Sequence, residues 1–180
     1  MTPRSPLPTL VGQRCTLREL VPADAPSLQR NADDVEVWRN LFEGFPHPYT
    51  MADAIAWCDG GAHDSAYGHV WGIDVRGEVI GCVNVAPQQG PLRCNAEVGY
   101  WIGQPHWRHG IATEALGLVT AWVWQELPDI TRLFAPIFAW NTGSQAVAGK
   151  CGYVKEADMP RSAIKDGRVI DRVQFAIYRP

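Results

Sequence analysis

Pro105-His106-Trp107-Arg108-His109-Gly110-Ile111-Ala112-Thr113-Glu114-Ala115 is the stretch on which the reading of this chain turns. It follows a strand-like run, Ala96 to Ile102, and passes through a small-residue turn straight into a helix. Ile111, Ala115, Leu118, Val119 and Trp122 recur at helical spacing, which predicts one buried face. The first N–H groups of such a helix lack intrahelical acceptors, and the helix dipole adds partial positive charge there. Gly110 can take a positive φ, and Ala112 offers little bulk to a group approaching the backbone. The spacing therefore predicts a phosphate-bearing ligand held mainly by main chain. Two familiar phosphate loops are absent: there is no G-x-x-x-x-G-K-[ST], and no G-x-G-x-x-G opening a βαβ unit.

The chain has 180 residues, enough for one domain with a full core. Hydrophobic residues make up 46% and charged residues 19%, an ordinary globular balance rather than a disordered one. A net charge of −3 argues against a general nucleic-acid binder. The cysteines, Cys15, Cys58, Cys82, Cys94 and Cys151, are odd in number and lack a C-x-x-C pair, so neither a disulfide framework nor a zinc site is expected. Reduced thiols predict a cytoplasmic protein. Residues 1–12 are expected to form a loose tail, proline-rich and without the apolar core of a signal peptide, ahead of a domain over 13–180. The apolar stretch from Leu116 to Trp124 is too short to span a bilayer, so no membrane partner is expected.

Cys15 to Leu20 reads as a first strand. Asp33 with Glu36 resembles a capping box for a helix carrying Val35, Trp38, Leu41 and Phe42, and Thr50 with Asp53 caps another. His69 to Val75 and Val79 to Ala86 read as strands joined by a hairpin at Arg76-Gly77-Glu78. After the central helix, to about Glu126, come a strand from Leu133 to Ala139, a helix near Ser144 to Lys150 and strands to the end. The order predicts a mixed α/β single domain.

Ala96-Glu97-Val98-Gly99-Tyr100-Trp101-Ile102, Trp107 through Ala115, Asn141-Thr142-Gly143-Ser144 and Lys150-Cys151-Gly152-Tyr153 stand in the order and spacing of the GNAT superfamily of N-acetyltransferases. The chain resembles its RimJ/RimL branch over nearly its whole length, from Leu17-Arg18 to the closing strand. The resemblance implies a central, mostly antiparallel twisted sheet flanked by helices, and transfer of an acetyl group from acetyl-CoA to an amine without a metal. It places the cofactor's diphosphate on Trp107, Arg108, His109, Gly110, Ile111, Ala112 and Thr113. Tyr100, Trp101, Ile102 and Asn141 are further implied cofactor contacts. The implied acceptor is a protein N-terminal α-amine, of the ribosomal-protein type, or a small amine, and the resemblance is compatible with a homodimer.

An arriving amine is mostly protonated, with a pKa of about 8 for an α-amine, so the chemistry calls for a base. Glu97 is the candidate: alternation puts it on the strand face opposite Val98 and Tyr100, and a glutamate at the matching position often serves so in the superfamily. The developing oxyanion is expected to meet a main-chain N–H near Gly99 or Tyr100. Many members place a tyrosine seven residues after the asparagine to serve the leaving thiolate, where this chain has Ala148. Ser144, three residues after Asn141, is the branch's substitute, although a serine there could equally cap the helix. The missing tyrosine and the Ala148-Gly149 pair motivate an alternative, a non-catalytic acyl-CoA-binding or regulatory module. The aromatic and proline loop Phe45 to Tyr49 is expected beside the acceptor.

Overall fold

The computed structural model describes residues 6–63 and 67–180. Eight strands form one sheet: β1 (Leu10–Val11), β2 (Thr16–Arg18), β3 (His69–Val75), β4 (Glu78–Pro87), β5 (Asn95–Ile102), β6 (Arg132–Phe138), β7 (Val154–Lys165) and β8 (Arg168–Tyr178). Their spatial order is β1-β2-β3-β4-β5-β6-β8-β7. Every pair is antiparallel except β5 with β6. The helices are α1 (Ala25–Ala32), α2 (Val35–Trp38), α3 (Met51–Ala56), α4 (Ile111–Glu126) and α5 (Thr142–Lys150). β3 and β4 are buried on both faces, whereas β6 alternates buried with half-buried residues and β7 is mostly exposed. The mixed α/β class and mostly antiparallel sheet are as expected.

The parallel pair is the feature that positions the site. A parallel neighbour needs a crossover, and α4 supplies it. Beneath α4 lies one core, where Leu116, Val119 and Val123 are fully buried and Trp122 meets Trp71 edge-on at 4.9 Å. Leu118, expected in the buried stripe, is only half-buried, while Leu116 and Val123 are covered. The stripe is therefore rotated slightly from the predicted face. A second core lies across the sheet, where Leu28 and Ala32 of α1 and Ala54 of α3 meet Val70, Val79 and Cys82. Each fully buried Leu or Val adds about 1.5–3 kcal/mol of transfer free energy.

β5 and β6 pair only at Asn95↔Arg132, Ala96↔Leu133 and Glu97↔Phe134. Beyond Glu97, β5 continues to Ile102 paired with β4 alone. The sheet therefore parts between its two central strands.

Two expectations are corrected. Within the stretch 1–12, residues 1–5 lie outside the described residues, but the rest is tied down. Leu10 and Val11 pair with Leu17 and Thr16, and the Trp71 indole N–H donates to the Pro8 carbonyl at 2.9 Å. The helix expected to carry Leu41 and Phe42 ends at Trp38, and its cap is Asp34, whose carboxylate accepts the Glu36 and Val37 amides at 2.7 and 3.2 Å. Asp33 is claimed by a distant partner, the Tyr49 amide at 2.9 Å. The Thr50–Asp53 capping box forms.

Candidate functional site

After Ile102 the chain makes a single 3-10 turn, Gln104–His106, and reaches the loop in front of α4. Gly110 is the N-cap of α4 with φ +77°, and Arg108 is also left-handed at φ +65°. A non-glycine residue held there costs of order 1–2 kcal/mol, a strain found chiefly where function requires it. Among the described residues no side chain caps α4, so its first amides face the cleft bare. The Trp107 indole N–H anchors the loop by donating to the Ile102 carbonyl at 2.9 Å.

Glu114, in the first turn of α4, fixes the loop from behind. Its carboxylate accepts the amides of Gln13, Arg14 and Cys15 at 2.9, 2.6 and 2.9 Å. Gly12 makes this approach feasible, since a Cβ there would lie 2.5 Å from Glu114 Oε2. Burial alone would raise the Glu114 pKa, but the three amides carry it below the ordinary value.

A cleft of about 550 Å³ opens in front of the loop. Its walls include Tyr100, Trp101 and Ile102 of β5, Trp107, Arg108 and Gly110 to Thr113, and Asn141 and Ser144 at the start of α5. Thus the structure gathers most of the residues named from sequence around one space. His109 lies outside this lining, on a second, open cleft with Arg14, Arg76 and His106. Glu97 also lies outside the lining, at the point where the sheet parts.

Asn141 is the N-cap of α5, its Oδ1 accepting the Ser144 amide at 3.0 Å. Capping thus falls to Asn141 rather than Ser144. The Ser144 hydroxyl instead donates to the Tyr100 phenol oxygen at 2.9 Å, and the phenol donates to the Ser144 carbonyl at 2.9 Å. Burial drives the Tyr100 pKa far above its ordinary value. Ala148 is fully buried and α5 runs unbroken to Lys150 despite Gly149. Cys151 donates from Sγ to the Thr113 carbonyl, and burial pushes its thiol up to about 11, well above the reactive range.

On the opposite face of the sheet, burial raises the Glu97 pKa, and Arg172 partly offsets that rise. Glu97 in turn adds to the effect of burial in raising Tyr67. Phe45 and Tyr49 do not line the cleft: they stack at 5.0 Å within the second core and support Trp101, which Phe45 meets edge-on at 5.7 Å. Their place beside the cleft is taken by Val37, Asn40 and Leu41, with Asn40 Oδ1 accepting the Trp140 indole N–H at 3.1 Å across the mouth. Sequence reasoning missed these residues, Glu114 as an anchor, and Arg172. Only Glu114 carried a local signal, as an acid in a helix's first turn.

Among the described residues no group of His, Cys, Asp and Glu could hold a metal ion, and no helix is long and apolar enough to cross a membrane. The site therefore combines a bare helix start, an opening through a parted sheet and a half-buried carboxylate on its far side.

Residues 14–154 match the acetyltransferase (GNAT) domain family, and the chain belongs to that family. It is accordingly an acyltransferase, an enzyme that moves acetyl groups from acetyl-CoA to amines, and the non-catalytic module is set aside. The chain is 28% identical to "Uncharacterized N-acetyltransferase YoaA" of Bacillus subtilis (strain 168), over 96% of this chain and 98% of that one. Mycobacterium smegmatis RimJ, solved in complex with CoA-disulfide, superposes with a TM-score of 0.82 at 23% identity, covering 95% of this chain and 87% of that one. RimL, a ribosomal L7/L12 α-N-protein acetyltransferase solved with coenzyme A, gives 0.79 at 20% identity, covering 95% and 98%.

Proposed function

We propose that this enzyme acetylates an α-amine, with a protein N-terminus as the leading acceptor and a small amine as the second. The observation that carries this reading is the bare start of α4, opening into a cleft walled by Tyr100, Trp101 and Ile102 of β5, the strand that carries Glu97. The described relatives RimL and RimJ, one named for an N-terminal acceptor and both solved with coenzyme A, support it.

The chemistry of the donor set fits acetyl-CoA. Uncapped amides and the helix dipole between Trp107 and Thr113 suit a diphosphate, with Arg108 adding charge at the rim. Acetyl-CoA supplies the acetyl group as a thioester. Glu97 takes a proton from the incoming amine, and its raised pKa brings it nearer the working range of a base. The amide of Tyr100 is the candidate oxyanion donor, because the hydrogen-bonding positions of β5 against β4 fall on odd-numbered residues and leave the Tyr100 N–H on the parted side. Ser144, held by Tyr100, is the hydroxyl available to the leaving sulfur, and Asn141 sets its position through the cap.

A thiol-release assay with acetyl-CoA and an amine panel tests the activity, and coenzyme A should raise the melting temperature of the purified protein. Thiol release with an N-terminal peptide is the expected result. Absence of heat-stabilisation by coenzyme A would overturn the loop assignment.

A further inference from the structure

The acceptor side of the sheet carries a cation that the chemistry above does not use. Arg172 lies on β8 opposite Phe138 of β6, and Glu97 lies on β5 opposite Phe134 of the same strand. Residues 134 and 138 of β6 share a face, so Glu97 and Arg172 do too. Arg172 stands on the strand beyond β6, four residues further along, with its side chain on the face that carries Glu97.

Arg172 is close enough to act on the charge of Glu97. Yet among the described residues no ion pair joins them. The single hydrogen bond of Arg172 there runs from Nε to Ser162 Oγ at 3.1 Å, and Ser162 in turn donates to the Met159 carbonyl at 2.7 Å. Ser162 thus fixes the plane of the guanidinium, and among the described residues its terminal NH2 groups have no hydrogen-bond partner. Among the described residues Glu97 likewise has no side-chain hydrogen-bond partner. A half-buried Arg usually finds a carboxylate partner, and among the described residues none is hydrogen-bonded to Arg172.

The geometry points to Arg172 as the residue that selects the acceptor, by binding the oxygen of the carbonyl or carboxylate next to the reacting amine. The acceptor class is then an α-aminoacyl compound: its amine meets Glu97, and its carbonyl or carboxylate oxygen bridges to the guanidinium. This rests on the acetyltransferase reading above and narrows it. Polyamines would bring a second cation against Arg172, and amino sugars would offer no planar oxygen for its fork.

The test compares alaninamide with isopropylamine, in which a methyl group replaces the carboxamide, by thiol release from acetyl-CoA. Rates are taken per fraction of neutral amine, so that differences in amine pKa drop out. The wild-type enzyme should favour alaninamide in kcat/KM by at least about tenfold, as for loss of one hydrogen bond to a charged group. R172Q should bring the ratio close to one, and R172K should restore part of it. Alanine and trialanine separate the two sources of the chemistry: preference for the first assigns free amino acids, and preference for the second assigns polypeptide N-termini. Equal use of alaninamide and isopropylamine by the wild type would overturn the proposal and leave the acetyltransferase reading intact. Failure of every amine to elicit thiol release would overturn both.

Discussion

The Ser144 hydroxyl and the Tyr100 phenol hold each other: Ser144 donates to Tyr100 through Oγ, and Tyr100 donates to the Ser144 carbonyl, each at 2.9 Å. One side chain on a strand and one on a helix thereby close the part of the cleft where α5 meets β5. The high pKa of the buried phenol makes Tyr100 a poor net acid, so its role is to hold Ser144. Ser144→Ala should lower kcat about tenfold or more with little change in KM for acetyl-CoA. Tyr100→Phe should lower it less and cost about 1 kcal/mol of stability. If the two act as one unit, the double variant will be no slower than Ser144→Ala, which a double-mutant cycle on kcat reads directly.

With Glu97 as the proposed base, activity and stability should respond to pH in opposite directions. Wild-type turnover should fall as pH drops through the raised pKa of Glu97, and Glu97→Gln should be most impaired near neutrality and approach wild type at high pH, where the amine is already neutral. For stability, a carboxyl whose pKa is raised by folding favours the fold fully below its unfolded pKa of about 4.3, and that contribution is lost as pH rises through the folded value. Glu97→Gln should therefore melt higher than wild type around pH 8 and show no such advantage near pH 4. Thermal scans at the two pH values check this.

The carboxylate of Glu114 has the reverse sign. Its folded pKa is lowered, so its stabilisation is present above the unfolded value of about 4.3 and lost as pH falls through the folded one. Glu114→Gln keeps an oxygen acceptor and loses the charge, which should cost about 1–2 kcal/mol at neutral pH in urea unfolding. The difference from wild type should shrink in acid. Because the same carboxylate ties the Gln13–Cys15 turn to the start of α4, coenzyme A should also stabilise the variant less.

Gly110 is tested by a single methyl. Its φ of +77° belongs to a region where an alanine costs about 1–2 kcal/mol. The added Cβ would sit 3.2 Å from Arg14 Nε, the end of a flexible side chain that can move aside. Gly110→Ala should thus fold, with a lower melting temperature and a larger loss in coenzyme A affinity than in stability. Equal coenzyme A affinity in the two proteins would remove the loop from the binding site.

The local parts of this molecule were legible before its structure. The strand ending at Ile102, the turn at Gly110 and the helix to Glu126 follow from periodicity and one glycine, all short-range signals. The Asn141-to-Ser144 segment was visible too, but its capping residue was not, because both side chains can cap and only the contact with Tyr100 separates them. Asp33 and Asp34 differ for a similar reason, since a tertiary hydrogen bond to the Tyr49 amide takes one of them. Arg172, Trp140 and the Gln13–Cys15 turn reach the site across long stretches of chain, and nothing in their own neighbourhoods announces it. The aromatic loop at Phe45, expected beside the acceptor, instead packs against Trp101 and serves as its buttress.

The gap between the central strands has a mechanical side. Two strand groups of the sheet are joined there only at Asn95, Ala96 and Glu97, while the core under α4 draws on both groups. Whatever extended molecule lies in that seam stands in for a missing strand and laces the two groups together. Donor occupancy and rigidity are then one event: the empty enzyme should breathe along the seam, with fast exchange of the seam-facing amides of Tyr100 and Ile102, and the loaded one should not.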